Sequence, residues 1–151
     1  MKYWLFKSEP SAYSIDDLAR DRVTAWTGVR NYQARNFMRD AMRPGDRGFL
    51  YHSSCAEPGI AGIVEVAGPA YADPTQFDRK SRYHDPGSAR AAPRWLNVDV
   101  KFVSMTRVVG LAELRGQGKL KSMQLLQRGS RLSITPVTQA EWECIQRLIE
   151  R

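Results

Sequence analysis

The alternation of apolar and polar positions divides the chain into short elements with no regular strand–helix–strand rhythm. Residues 2–7 are mostly aromatic or apolar, which predicts a strand buried on both faces. Ser8-Glu9-Pro10 ends it, because proline lacks an N–H and restricts the residue before it. Ser14 and Asp17 stand at capping-box spacing and predict a short helix through Ala19. From Asn31, a good N-cap, the residues Ala34, Phe37, Met38, Ala41 and Met42 recur at helical spacing, leaving Tyr32, Arg35, Asn36 and Arg39 on the opposite side. Pro44-Gly45-Asp46 reads as a turn, residues 48–52 as a strand, and residues 59–66 as a second strand hairpinned to it. The small residues of that second strand would let another segment approach its backbone closely.

Residues 73–93 hold three prolines and mixed charges without a period, so this stretch is expected to be an ordered excursion or a mobile loop, with Tyr83-His84-Asp85-Pro86 as a candidate lid. Residues 95–103 alternate Leu96, Val98, Val100 and Phe102 against polar neighbours, the clearest half-buried strand in the chain. A short helix at 111–115, a helical turn within 120–126 and a strand at 131–135 follow. Thr138 and Glu141 then form a capping box for a last helix whose Trp142, Ile145, Leu148 and Ile149 face inward. About five to six strands with helices interspersed imply an α+β fold: a curved mixed sheet or small β-barrel flanked by helices.

The length of 151 residues suits one domain, 1–151, with a core that needs neither metal nor disulfide. The 23 Lys and Arg against 16 Asp and Glu leave a formal charge of +7, which favours a polyanionic partner. Cys55 and Cys144 lie far apart and outside any C-x-x-C arrangement, so both are expected to be free thiols. No stretch reaches the apolar length of a membrane span and no signal-peptide pattern opens the chain, so the expected location is the cytoplasm. The sequence leaves the oligomeric state open, with a monomer favoured.

The absent motifs narrow the chemistry. There is no phosphate-cradling G-x-G-x-x-G or G-x-x-x-x-G-K-[ST] and no G-x-S-x-G elbow. The only histidines, His52 and His84, lack the companions a zinc site requires, so neither metal nor cofactor is expected. Residues 26–43 instead combine Trp26, Tyr32, Asn31 and Asn36 with Arg30, Arg35, Arg39 and Arg43. Rings for stacking, amides for base edges and guanidinium groups for phosphate suit a nucleic acid.

A set of short blocks in order carries a family resemblance: Lys7-Ser8-Glu9-Pro10, Trp26-Thr27-Gly28-Val29-Arg30-Asn31-Tyr32, Tyr51-His52-Ser53, Pro58-Gly59-Ile60-Ala61-Gly62, Asp73-Pro74-Thr75-Gln76-Phe77-Asp78, Tyr83-His84-Asp85-Pro86 and Arg131-Leu132-Ser133-Ile134-Thr135-Pro136. Over nearly its full length the chain resembles the EVE domain. That resemblance implies a PUA-like curved sheet related to the YTH domains, and a module that reads a modified base, a modified cytosine or a methylated adenine, in DNA or RNA. The base would sit in an aromatic pocket, single-stranded or flipped out. Carried over, Trp26 is the main stacking wall and Tyr83 the second, preferred to Trp95 because Trp95 runs straight into an apolar strand. Lys7, Ser8, Asn31, Ser53 and Tyr51 complete the pocket, and Arg30, Tyr32, Arg35, Arg39 and Arg131 contact the backbone. No residue is assigned a catalytic role. Two rival readings remain: a small hydrolase of a modified nucleoside or amide using Lys7, Glu9, Ser53 and Tyr51, and a protein-interaction module with a basic face.

Overall fold

The computed structural model describes residues 1–151. The first strand, β1 (Tyr3–Ser8), sends Trp4 and Phe6 to one side and Leu5 to the other, and all three are buried. An apolar run without polar gaps is what a strand covered on both faces requires. The Ser14–Asp17 capping box opens α1 (Ile15–Asp21), and Asn31 accepts hydrogen bonds from the Gln33 and Ala34 amides to open α2 (Tyr32–Asn36). The stripe predicted to continue as α-helix widens instead into a π-helical turn, Phe37–Ala41, closed by Met42 N–H donating to the Phe37 carbonyl. Ala34, Met38 and Met42 remain buried beneath it.

Between these helices runs β2 (Val23–Ala25), a strand the sequence pattern did not announce because only three residues pair. The remaining strands are β3 (Arg47–His52), β4 (Gly59–Val66), β5 (Tyr71–Ala72), β6 (Leu96–Asn97), β7 (Asp99–Gly110) and β8 (Ile134–Val137). Two other helices, α3 (Leu111–Arg115) and α4 (Gln139–Ile149), cover the far side of the sheet. The expected strand at 95–103 is thus split at Val98 and runs seven residues further, to Gly110, and the expected strand at 131–135 is shifted towards its C-terminus. The 104–110 part of β7 lacks a clean alternation because Met105 and Val108 face solvent.

The main sheet is mixed, six-stranded and ordered β2-β7-β4-β3-β1-β8, with β1 parallel to β3 and every other pair antiparallel; β5 and β6 form a separate ribbon. Register shifts interrupt the β3–β4 pairing once and the β4–β7 pairing twice. Such irregularities bend a strand and increase its twist, which curls the sheet. The two faces carry separate cores. One packs α1 and α2 over Trp4, Phe6, Leu50, Val64 and Val100; the other packs α3 and α4 over Leu5, Phe49, Ile60 and Val109. Trp142 of α4 stacks on Tyr3 at 4.4 Å and on Phe49 at 4.0 Å, tying the last helix to β1 and β3. Both cysteines are free. No helix is long and apolar enough to cross a membrane.

Candidate nucleic-acid interface

A cavity of about 510 Å³ is lined by residues from opposite ends of the sheet. Lys7, Ser8 and Glu9 come from the end of β1, Thr24 and Ala25 from β2, and Ser133 from the approach to β8. Since β2 is one edge of the sheet and β8 the other, the curl turns the two edges towards each other and the cavity occupies the gap between them. Its size falls within the roughly 300–1,000 Å³ typical of small-ligand sites.

Trp26 and Tyr83 both line this cavity. The Trp26 indole is only 8% exposed, and it meets Phe6 at 5.4 Å and Tyr13 at 6.4 Å, both edge-on. It is therefore core and wall at once. Tyr83, half-buried, reaches the cavity from the 73–95 excursion and sits over Gly28, where an added Cβ would lie 2.7 Å from its ring carbons. With φ at +83° and that ring above it, position 28 requires glycine.

The excursion is ordered by two fully buried side chains that the sequence reading did not single out. Gln76 donates from its amide nitrogen to the Asp73 and Trp95 carbonyls and accepts from the Trp95 amide and the Ser88 hydroxyl. Asp73 accepts from the Gly28 and Thr75 amides, the Thr75 hydroxyl and Arg30. Burial would raise its carboxyl pKa, but these hydrogen bonds outweigh that cost and hold it below the usual carboxylate range. A polar residue three after an Asp-Pro turn was the only signal in the chain.

Several expected site residues lie elsewhere. Tyr51 does not line the cavity: its side chain points with Phe49 into the core on the other face of the sheet, as the period-2 alternation of β3 dictates. Asn31 caps α2 through its side-chain oxygen and does not line the cavity, and Ser53 also lies outside it, its amide donating to the Ser8 carbonyl. Arg30 is not free for phosphate. Its guanidinium turns inward to Asp73 at 3.1 Å, Thr75 Oγ1 at 2.9 Å and the Tyr83 carbonyl at 2.7 Å. On α2, Tyr32 stacks on Trp95 at 4.8 Å and Arg35 lies over Tyr32 at 4.7 Å, while Arg39 of the π-helical turn pairs with Asp40. None of these three lines the cavity. Trp95 instead donates to Asp85 at 2.8 Å and is nearly buried.

The rest of the cavity lining mixes apolar Ala12, Tyr13, Ala25 and Val29 with Lys7, Ser8, Glu9 and Arg82. Burial lowers the pKa of Lys7 below the ordinary lysine value. The Ser8 hydroxyl donates to the Tyr13 carbonyl at 2.6 Å, which leaves its oxygen able to accept. Arg82 lines the cavity with its guanidinium 5.1 Å from the centre of the Tyr83 ring, and Arg131 is exposed two residues before the lining Ser133; neither pairs with a carboxylate. No group of three or more His, Cys, Asp or Glu side chains is placed to hold a metal ion.

A curled mixed sheet with helices on both faces is the arrangement of a PUA-like domain. Residues 2–148 match the sequence model of the EVE domain, and the chain belongs to that family. It is 44% identical to human thymocyte nuclear protein 1 over 169 aligned positions, covering 99% of this chain and 74% of the human protein. Among solved structures, a Pseudomonas putida protein superposes with a TM-score of 0.94 at 50% identity, covering 97% of this chain and 98% of the other. Human THYN1 protein in complex with DNA containing 5-methylcytosine superposes with the same TM-score at 44% identity, covering 100% and 99%.

Proposed function

We propose that this domain binds DNA and holds a methylated cytosine in the cavity between Trp26 and Tyr83. The observation that carries the reading is the likeness, over the whole of this chain, to human THYN1 protein solved in complex with DNA containing 5-methylcytosine. The cavity supports it: three aromatic side chains, Tyr13, Trp26 and Tyr83, a volume suited to a small ligand, and Lys7 and Arg82 without a carboxylate partner. Cytosine presents its amino group as a donor, which Ser8 Oγ and the Glu9 carboxylate can accept. Arg82 and Arg131 supply the phosphate contacts that the inward-turned Arg30 does not.

The base enters turned out of its stack. Stacking on an aromatic wall is worth about 1–3 kcal/mol per base, against a few kcal/mol for extrusion from a duplex and less from a single strand. Single-stranded or mismatched targets therefore bind better than matched duplex. The test is fluorescence anisotropy with matched single-stranded and duplex oligonucleotides, with and without 5-methylcytosine, in DNA and RNA. Tyr83→Ala is the variant of choice, since truncating the more buried Trp26 would also open the core. Methyl-dependent affinity that falls roughly 5- to 150-fold in Tyr83→Ala supports the reading. Affinity indifferent to the methyl group would refute it, and recovery of an altered nucleoside would favour the hydrolase.

A further inference from the structure

We infer that Arg30, working through Asp73, is the positioning residue that sets the gap between the two aromatic walls and hence the selectivity for the added methyl group. This rests on the base-reading function proposed above.

A guanidinium has five N–H donors. All five of Arg30's are in use: Nε and Nη2 to the Tyr83 carbonyl, Nη2 also to Thr75 Oγ1, and Nη1 to Asp73 Oδ2 and the Val29 carbonyl. The side chain is 22% exposed and its Asp73 partner fully buried. A phosphate could be gripped only by breaking one of these bonds. The same Asp73 oxygen accepts from the Gly28 amide at 2.8 Å, and Gly28 is the seat of the Tyr83 ring. The segment from Trp26 to Arg30 thus carries the first wall, the seat of the second and the clamp that holds the second by its own backbone. Arg30 is also 5.6 Å from the Tyr83 ring centre, so ring and carbonyl are both anchored to one planar group.

The spacing matters because methyl recognition is a contact of van der Waals range. A radial gap of about 0.5–1 Å already forfeits a quarter to a half of a contact's attraction. A pocket loosened by that amount still stacks a base and no longer distinguishes the methyl. Lysine keeps the charge but has three donors on a single nitrogen and cannot span Asp73, Thr75 and the Tyr83 carbonyl together.

The experiment measures the affinity ratio for 5-methylcytosine over cytosine oligonucleotides, its dependence on salt, and amide hydrogen exchange of residues 79–88, for wild type, Arg30→Lys and Arg30→Gln. In both variants the ratio is expected to collapse from the roughly ten- to two-hundred-fold that one methyl can confer towards unity. The slope of log affinity against log salt should stay unchanged and exchange in 79–88 should quicken. A phosphate contact gives the opposite pattern, with the ratio retained in both and a slope shallower by about 0.9 on duplex in Arg30→Gln; that result overturns the inference. Should the arginine variants not fold, Gly28→Ala displaces the same ring with the guanidinium intact; a wild-type ratio there overturns it too. If the wild type shows no methyl preference, the base-reading function fails, and exchange alone decides whether Arg30 holds Tyr83: unchanged protection in Arg30→Lys refutes the clamp.

Discussion

His52, named only in passing by the sequence, contributes to the stability of the fold where β3 meets the start of α1. Its Nε2 accepts from the Ile15 amide at 3.1 Å, a bond only the unprotonated ring can make. Burial lowers its pKa, against a smaller opposing pull from Asp16. The unfolded chain therefore takes up a proton first as pH falls past about 6.5, and folding stability declines from there towards the folded-state value. Carboxylates are ionised in both states across pH 7.5 to 5.5 and do not mask the effect. Urea midpoints are expected to fall over that interval in the wild type and to be flatter in His52→Gln; an equal fall in both would remove His52 from the account. At Trp26 the same scale explains why Trp26→Ala is expected to cost stability, about 3–5 kcal/mol by chemical denaturation, in addition to any binding.

At the scale of elements, the places where strands and helices approach most closely are set by glycines. An added Cβ at Gly59 would lie 2.5 Å from the Val109 carbonyl oxygen, which belongs to the neighbouring strand's backbone and cannot swing aside. At Gly62 the obstacle is the Ile15 side chain, where α1 rests on the sheet. Gly59→Ala is expected to destabilise the fold by about 1–3 kcal/mol, read as a lower urea midpoint with an unchanged slope. At the chain's end, Thr138 caps α4 by accepting from the Glu141 amide while Glu141 returns the bond. Thr138→Ala is expected to cost about 1 kcal/mol, and near-UV circular dichroism of the Trp142 stack on Phe49 checks that the helix still docks.

For the whole molecule, the charge of +7 matters through where its cations are left unpaired. Arg20, Arg39, Arg47, Arg94 and Arg107 are matched by nearby carboxylates, and Arg30 is turned inward. Arg82 and Arg131, beside the cavity, are unmatched. Removing both, as Arg82→Gln with Arg131→Gln, is expected to weaken DNA binding equally for methylated and unmethylated strands. The salt slope should become shallower by about 1.4 on a single strand. A changed methyl ratio with an unchanged slope would place the phosphate contacts elsewhere.

The local elements were legible because their causes are local. The capping signals at Ser14, Asn31 and Thr138, the alternation of residues 59–66 and the apolar run of β1 each depend on neighbours within a few positions. The α+β class followed from counting them, and the blocks around Trp26 and Tyr83 carried the family. What only the tertiary structure decided was which side chains meet. Arg30, read from its segment as a cation for phosphate, is spent on Asp73 and Tyr83, more than forty residues away. Tyr51, beside the matched His52 and Ser53, faces the opposite core, because a strand's register and curl fix which of its two faces sees the cavity. Long-range pairing of a curled sheet decides such contacts, and a pattern read along the chain holds only the periodicity of each strand.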